Sequence, residues 1–314
     1  MTRRIVANPA SSNRIRVIFD HEDSTVEAAL ESVDGLAADS RAELIEATSE
    51  LSQLIGLEKV KAFIYEIYAL LIIYKKRQAL GLKTADQVLH MIFKGNPGTG
   101  KTTVARLLGK IFNKMGVLSK GHLIEVERAD LVGEYIGHTA LKTREHVKKA
   151  LGGILFIDEA YSLARGGEKD FGKEAIDTLV KSMEDHKNEF ILILAGYSAE
   201  MDQFLLMNPG LPSRFPIQLM FEDYSVEQLM EIAHQMLRQR EYRMSPAAAE
   251  KMRQHLIQQV RTPFHSFSNA RYIRNMIEKA IRRQAVRLLS AHTLDKDVLM
   301  TLESSDYQFG EQDR

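Results

Sequence analysis

Gly95-Asn96-Pro97-Gly98-Thr99-Gly100-Lys101-Thr102 is the stretch from which the rest of the chain can be read. Its spacing, G-x-x-x-x-G-K-[ST], is that of a phosphate-binding loop. Glycines at 98 and 100 let backbone N–H groups turn inward around an anion with no Cβ in the way. Lys101 carries a compact positive charge to the β- and γ-phosphates, and the Thr102 hydroxyl is a hard ligand for Mg²⁺. The flanks agree with this reading. Residues 88–93 (Val-Leu-His-Met-Ile-Phe) form a buried-strand pattern, and residues 102–115 form a helix, with Thr103 in its first turn, whose N-terminal dipole points at the phosphates. The expectation is a site for a nucleoside triphosphate.

The second strong signal lies downstream, at Gly153-Ile154-Leu155-Phe156-Ile157-Asp158-Glu159. Four apolar residues followed by two acids describe a buried parallel strand with carboxylates at its C-terminal edge, where open α/β sheets bind ligands. Asp158 suits Mg²⁺ coordination through water, and Glu159 suits polarisation of an attacking water. Between the two motifs, residues 120–126 read as a strand and residues 139–151 as a basic helix. Tyr135 and Ile136 lie on the connection between Gly133 and Gly137, a segment free to move and offering an aromatic tip; a Tyr135 folded onto the core is the competing reading. Further strands are expected at residues 190–195 and 217–221, with a helix over 174–186. Asn208-Pro209-Gly210-Leu211-Pro212-Ser213-Arg214-Phe215 reads as a rigid turn presenting one arginine. About five strands with intervening helices make a doubly wound parallel sheet.

Upstream, residues 55–81 carry an apolar stripe at helical spacing, and Leu54 to Leu57 could line a pocket for a flat base. Residues 1–50 read as an N-terminal extension, with a strand-like alternation at 14–19 and an acidic, alanine-rich helix at 39–50. Beyond Phe221 the strand signal stops. Ser225 with Gln228 is a capping-box start, Ser245-Pro246 opens a second helix, and Ser268-Asn269 caps a third that runs to Leu289. A strand-like tail over 298–302 closes this helical unit. The third helix bears Arg271, Arg274, Arg282, Arg283 and Arg287, read as a solvated face with Arg271 turned toward the nucleotide. The domains are therefore expected at 1–50, 51–222 (nucleotide-binding) and 223–314 (helical).

Composition narrows the function classes. The 314 residues are 45% hydrophobic and 27% charged, which fits a globular protein. Forty-two basic residues balance forty-two acidic ones, so no global field points to nucleic acid or an anionic membrane. With no cysteine there is no disulfide framework and no thiolate metal site or nucleophile. The basic start Met1-Thr2-Arg3-Arg4 lacks a following apolar stretch, so no signal peptide is expected. The greasy run at 67–74 falls well short of the roughly twenty residues a membrane span needs. A cytoplasmic protein without membrane insertion is the expectation.

Taken together, the loop at Gly95 to Thr102, the Asp158-Glu159 strand end, the Ser213-Arg214-Phe215 turn and Asn269-Ala270-Arg271 resemble an AAA+ ATPase. Asp130 to Ala140, residues 152–172 and Ala195-Gly196-Tyr197 extend the likeness to the subfamily that contains the red-type Rubisco activases, over about residues 50–290. The resemblance implies a P-loop α/β domain with a C-terminal helical lid. It implies Lys101 and Thr102 as Walker A, Asp158 and Glu159 as Walker B, Arg214 as an arginine finger acting on a neighbouring subunit, and Arg271 as sensor 2. Tyr135, with Ile136 and Gly137, becomes a pore loop. The place where the family carries a polar sensor 1 residue falls near Tyr197, a departure from the pattern. ATP hydrolysis with Mg²⁺ in a homo-oligomeric ring, a hexamer, that remodels a protein client in spore maturation is the implied activity. Release of inhibited Rubisco, or a nucleotide-switched scaffold that barely hydrolyses, are the alternatives.

Overall fold

The computed structural model describes residues 49–84, 87–135, 137–165, 170–261, 267–290 and 294–309. The expected strand at 14–19 and most of the helix at 39–50 lie outside the described residues, as does Ile136.

Five strands build one sheet: β1 (Met91–Gly95), β2 (Leu123–Val126), β3 (Ile154–Ile157), β4 (Ile191–Gly196) and β5 (Ile217–Phe221). They pair in parallel in the order β2-β3-β4-β1-β5. Helix α1 (Glu58–Ala79) and α2 (Lys101–Lys114) cover one face. The other face carries α3 (Arg128–Leu131), α4 (His138–Ala150), α5 (Gly172–Asp185) and α6 (Ser198–Met207). The strand patterns follow from this layering. In β1, Met91 and Phe93 enter one core while Ile92 enters the other, and the same alternation holds in β3 and β4. A strand buried on both faces must be apolar throughout, which explains the continuous runs. At the edge, β5 buries only Ile217, Leu219 and Phe221 and exposes Gln218 and Met220.

Helix α6, between β4 and the proline-rich turn, is not signalled in the sequence; its apolar run at 204–207 goes round the helix, leaving Leu206 and Met207 exposed, and sets no clear period. The expected rigid turn at 208–215 contains a single helical turn, α7 (Leu211–Arg214), with Pro212 in its first positions, where a missing N–H costs nothing.

Helices α8 (Val226–Arg238), α9 (Pro246–Arg261) and α10 (Asn269–Leu288) surround a third core with Leu229, Met252 and Ile277 at its centre. Ser225 and Gln228 form the expected reciprocal capping box. The cap expected at Ser268 is absent, because the Ser268 side chain makes no capping bond and its carbonyl instead accepts from the Arg271 N–H. The tail forms a short helix, α11 (Lys296–Met300), before β7 (Thr301–Leu302) pairs in parallel with β6 (Arg243–Met244). Arg287 departs from the expected solvated stripe: it grips the buried Asp306 carboxylate through two bonds of 2.9 Å and ties α10 to this tail. Among the described residues no helix is long and apolar enough to cross a membrane.

Candidate nucleotide site

Strand order places β4 between β1 and β3. The C-terminal ends of the three strands therefore open side by side, at the edge where the chain turns from β1 toward the far side of the sheet. A cleft of about 310 Å³ lies there. Gly95, Pro97, Gly98, Gly100, Lys101, Thr102 and Thr103 form its floor, with Asp158 and Glu159 from the end of β3 and Tyr197 after β4. The helical unit closes the other side with Arg271 and Arg274 of α10 and with Ile232 and Met236 of α8. Leu54, Ile55 and Leu57 line one end together with Tyr224, where an apolar surface can take a flat base. Three of the four residues from Leu54 to Leu57 thus line the cleft.

The loop is held by its own backbone and by the helical unit. Lys101 Nζ donates to the carbonyls of Gly95 and Asn96, each at 2.8 Å. Burial pulls the Lys101 ammonium below its ordinary pKa; the nearby Asp158 carboxylate opposes that shift. Gly98 has φ of +70°, and a Cβ there would stand 2.1 Å from the Ser268 carbonyl oxygen. Only glycine allows α10 to come this close, and the Ala270 N–H uses the approach to donate to the Gly98 carbonyl at 3.2 Å. The N-terminus of α2 is opened by Gly100 and carries no side-chain cap. Its unpaired N–H groups and positive dipole end thus face the cleft, the arrangement an anionic phosphate fills. Thr102 and Asp158 add hard oxygen donors of the kind Mg²⁺ takes. The residues present fit both a triphosphate and its metal.

Two residues expected to bind ATP have side chains employed elsewhere. The Asn96 amide donates to the Asp223 carboxylate at 2.9 and 3.0 Å, and the buried Thr99 hydroxyl donates to the Asn96 carbonyl at 2.8 Å. Both brace the loop. Neither lines the cleft, and Arg214, Tyr135 and Gly137 also lie outside it. Arg214 donates to Glu184 at 2.7 Å and to the Gly210 carbonyl at 2.8 Å, beside a different cavity. Tyr135 is 65% exposed, and among the described residues its ring contact is edge-on with His138 at 5.4 Å, so it is not folded onto the core. Gly133 does not act as a free hinge: it is buried, and a Cβ on it would meet the His138 Cβ at 2.5 Å.

Glu159 has φ of +46°, a left-handed conformation that costs a non-glycine residue of order 1 kcal/mol or more. Strain of this kind persists where the surroundings impose it, and here it turns an exposed carboxylate into the cleft.

Sequence reasoning missed Tyr224, Arg274 and the Asn269–Asp223 pair. Asn269 is fully buried with φ of +46°. Its amide donates to Asp223 at 2.7 Å and to the Pro97 carbonyl at 3.3 Å, while its oxygen accepts from the Tyr224 N–H at 3.0 Å. It joins loop, connection and lid helix at one point. An asparagine at a helix start carries a local capping signal, and that signal hid the long-range role.

A five-stranded parallel sheet with a phosphate loop, an acidic strand end and a helical lid defines a P-loop ATPase module, and this chain belongs to the AAA ATPase family. The family model "ATPase family associated with various cellular activities (AAA)" matches residues 91–223, and the AAA lid domain model matches residues 225–314. Among its relatives, Stage V sporulation protein K of Bacillus subtilis is 63% identical over 271 residues, covering 86% of this chain and 84% of that protein. The chloroplastic ribulose bisphosphate carboxylase/oxygenase activase of Cyanidioschyzon merolae is 46% identical over 81% of this chain and 87% of its own. Protein CbbX of Cereibacter sphaeroides is 47% identical over 81% of this chain and 82% of its own. The crystal structure of the FIGL-1 AAA domain superposes with a TM-score of 0.56 at 18% identity, over 88% of each chain, and supports the fold.

Proposed function

We propose that this chain hydrolyses ATP to ADP and phosphate in a ring of identical copies, a hexamer, and uses the step to remodel a protein client in the cytoplasm. One observation carries the chemistry: the uncapped start of α2, the strained Glu159 and Arg271 of the lid all face a single cleft. Residues 51–222 would bind the nucleotide and residues 223–314 would close over it, with residues 1–50 as an extension.

The roles follow from position. Lys101 and the N–H groups of the loop hold the β- and γ-phosphates. Glu159 accepts a proton from the attacking water, and Arg271 holds the γ-phosphate from the lid side. Magnesium, held by the Thr102 hydroxyl and through water by Asp158, would neutralise charge on the phosphates. Arg214 lies outside its own cleft, so its chemistry would be done at the cleft of an adjacent copy. Tyr135 is exposed and contributes nothing to the cleft, as a residue that grips a client must be. The likeness to Stage V sporulation protein K favours a client in spore maturation, and the likeness to the Rubisco activase favours an inhibited carboxylase as the second reading.

Phosphate release from ATP tests the chemistry. Lys101→Ala should abolish it by removing ATP affinity while the chain stays folded; an unaltered ATP affinity by calorimetry would remove Lys101 from the site. For the coupling, Tyr135→Ala should leave ATP binding, assembly and melting temperature near wild type while spore maturation in cells is lost, with Tyr135→Phe tolerated. A buried tyrosine would instead cost about 3 kcal/mol or more on truncation, so a large fall in melting temperature would end the grip-loop reading.

A further inference from the structure

Glu159 begins a short 3₁₀ helix, Ala160–Ala164, and its carbonyl accepts from the Ser162 N–H at 2.8 Å. The Ser162 carbonyl in turn accepts from the Arg128 guanidinium at 2.6 Å. The other arm of that guanidinium reaches both oxygens of Asp170, at 2.7 and 2.6 Å. Asp170 also accepts from the Gly172 N–H at 2.7 Å, at the first residue of α5. One arginine thus spans the middle of the 3₁₀ helix that follows the proposed water-activating residue and the start of the next helix. The partly buried pair holds the Asp170 carboxyl below the ordinary carboxylate range, chiefly through the hydrogen bond from Arg128.

Arg128 opens α3, and the chain runs from α3 directly to Tyr135. The far foot of this connection is pinned as well: the Gly133 N–H donates to the buried Thr139 hydroxyl at 2.9 Å on α4. On the near side, the Asp158 N–H donates to the Val126 carbonyl at 3.1 Å, two residues before Arg128. Between Glu159 and Arg128 there are therefore two hydrogen bonds, and between Arg128 and Tyr135 only one short helix and its exit.

We infer that Arg128 is a positioning residue that transmits the state of the Glu159 turn to Tyr135, with Asp170 as its anchor. The inference rests on the ATPase reading proposed above and names the coupling element within it. A shift of Glu159 as it engages the water beside the γ-phosphate moves Ser162 in the 3₁₀ helix, the guanidinium follows the Ser162 carbonyl, and α3 carries the motion to Tyr135. A residue with only one partner would stiffen one element. The forked geometry of arginine lets Arg128 hold two elements at once, which lysine cannot reproduce.

The test uses the absence of cysteine in the chain. Glu134→Cys, at an exposed position beside Tyr135, takes a single environment-sensitive fluorophore in the full chain carrying Glu159→Gln, so that ATP stays bound. ATP addition should change its emission. Adding Arg128→Met should reduce that change by about fivefold or more, the low end of typical coupling between sites, with ATP affinity by calorimetry within about twofold of the parent. Asp170→Asn, which keeps the shape and loses the charge, should reduce the change by less, and Arg128→Lys should not restore it. A full emission response in Arg128→Met overturns the inference. So does a labelled parent that binds ATP with no change in emission, an outcome that leaves nucleotide binding intact. A labelled parent that fails to bind ATP overturns the ATPase reading itself and the coupling with it. Equal melting temperatures for the parent and Asp170→Asn keep the comparison interpretable if Arg128→Met proves unstable.

Discussion

The two ends of the same five strands carry two cavities of opposite character. At the C-terminal ends lies the cleft of about 310 Å³ with glycine backbone, Lys101, Asp158 and a strained Glu159. At the N-terminal ends lies a cavity of about 660 Å³ lined by Leu71, Leu89, Val117 and Phe190, with Arg214 and Glu184 on its rim. The larger and greasier one has no glycine among its lining residues, and it carries a left-handed residue of its own, Asn188 with φ of +66°. Neither volume nor strain therefore marks the proposed reactive end of this sheet; a glycine loop at a helix start, beside two carboxylates, does.

The comparison is sharpened at the rim of the apolar end, where Arg214 would serve the cleft of a neighbouring copy. Arg214→Ala should cost roughly 10³-fold in turnover, as expected of an arginine acting from a neighbouring copy. Mixing Arg214→Ala with Glu159→Gln chains should restore part of the activity, because some interfaces regain both groups. Mixed rings that never regain activity would confine catalysis to a single chain.

At the reactive end, Glu159→Gln should retain ATP binding and lose turnover by on the order of 10²-fold or more, since only the water-activating group is changed. Wild-type phosphate release in this variant would reassign the base.

The smallest effect sharpens the character of the other end. His90 lines the apolar cavity, lies between the rings of Phe190 and Phe215, and accepts the Leu192 N–H at Nδ1. Burial lowers its pKa from 6.5 to about 4. The unfolded chain therefore binds a proton that the folded chain refuses, and stability is lost as pH falls from 6.5 toward 4. Between pH 6.5 and about pH 5 this amounts to about 1.5 kcal/mol, read from denaturant midpoints. In His90→Phe that part of the pH dependence should vanish; an unchanged slope would place the titration elsewhere.

Legibility differed along the same divide. The phosphate loop, the acidic strand end and the double-sided strands β1, β3 and β4 were readable, because each signal is a property of consecutive residues. Boundaries shifted by a few positions: β1 begins at Met91 instead of Val88, since His90 turns its ring nitrogen to a neighbouring strand before the ladder starts. Arg287 read as one of a solvated stripe because nothing in its own helix announces Asp306.

The sequence by itself determined the nucleotide-binding chemistry and the parallel sheet, because glycine placement, apolar runs and terminal carboxylates act through the local backbone. Only the tertiary structure decided which distant groups meet there. Asn269 reaches the Pro97 carbonyl from 172 residues away, Arg128 reaches Asp170 across 42, and Arg214 is carried to the far end of the sheet from its own cleft. The physical reason is that a polar side chain carries the same local signature whether its partner is water or a buried group from another element. Strand order and helix packing select between them.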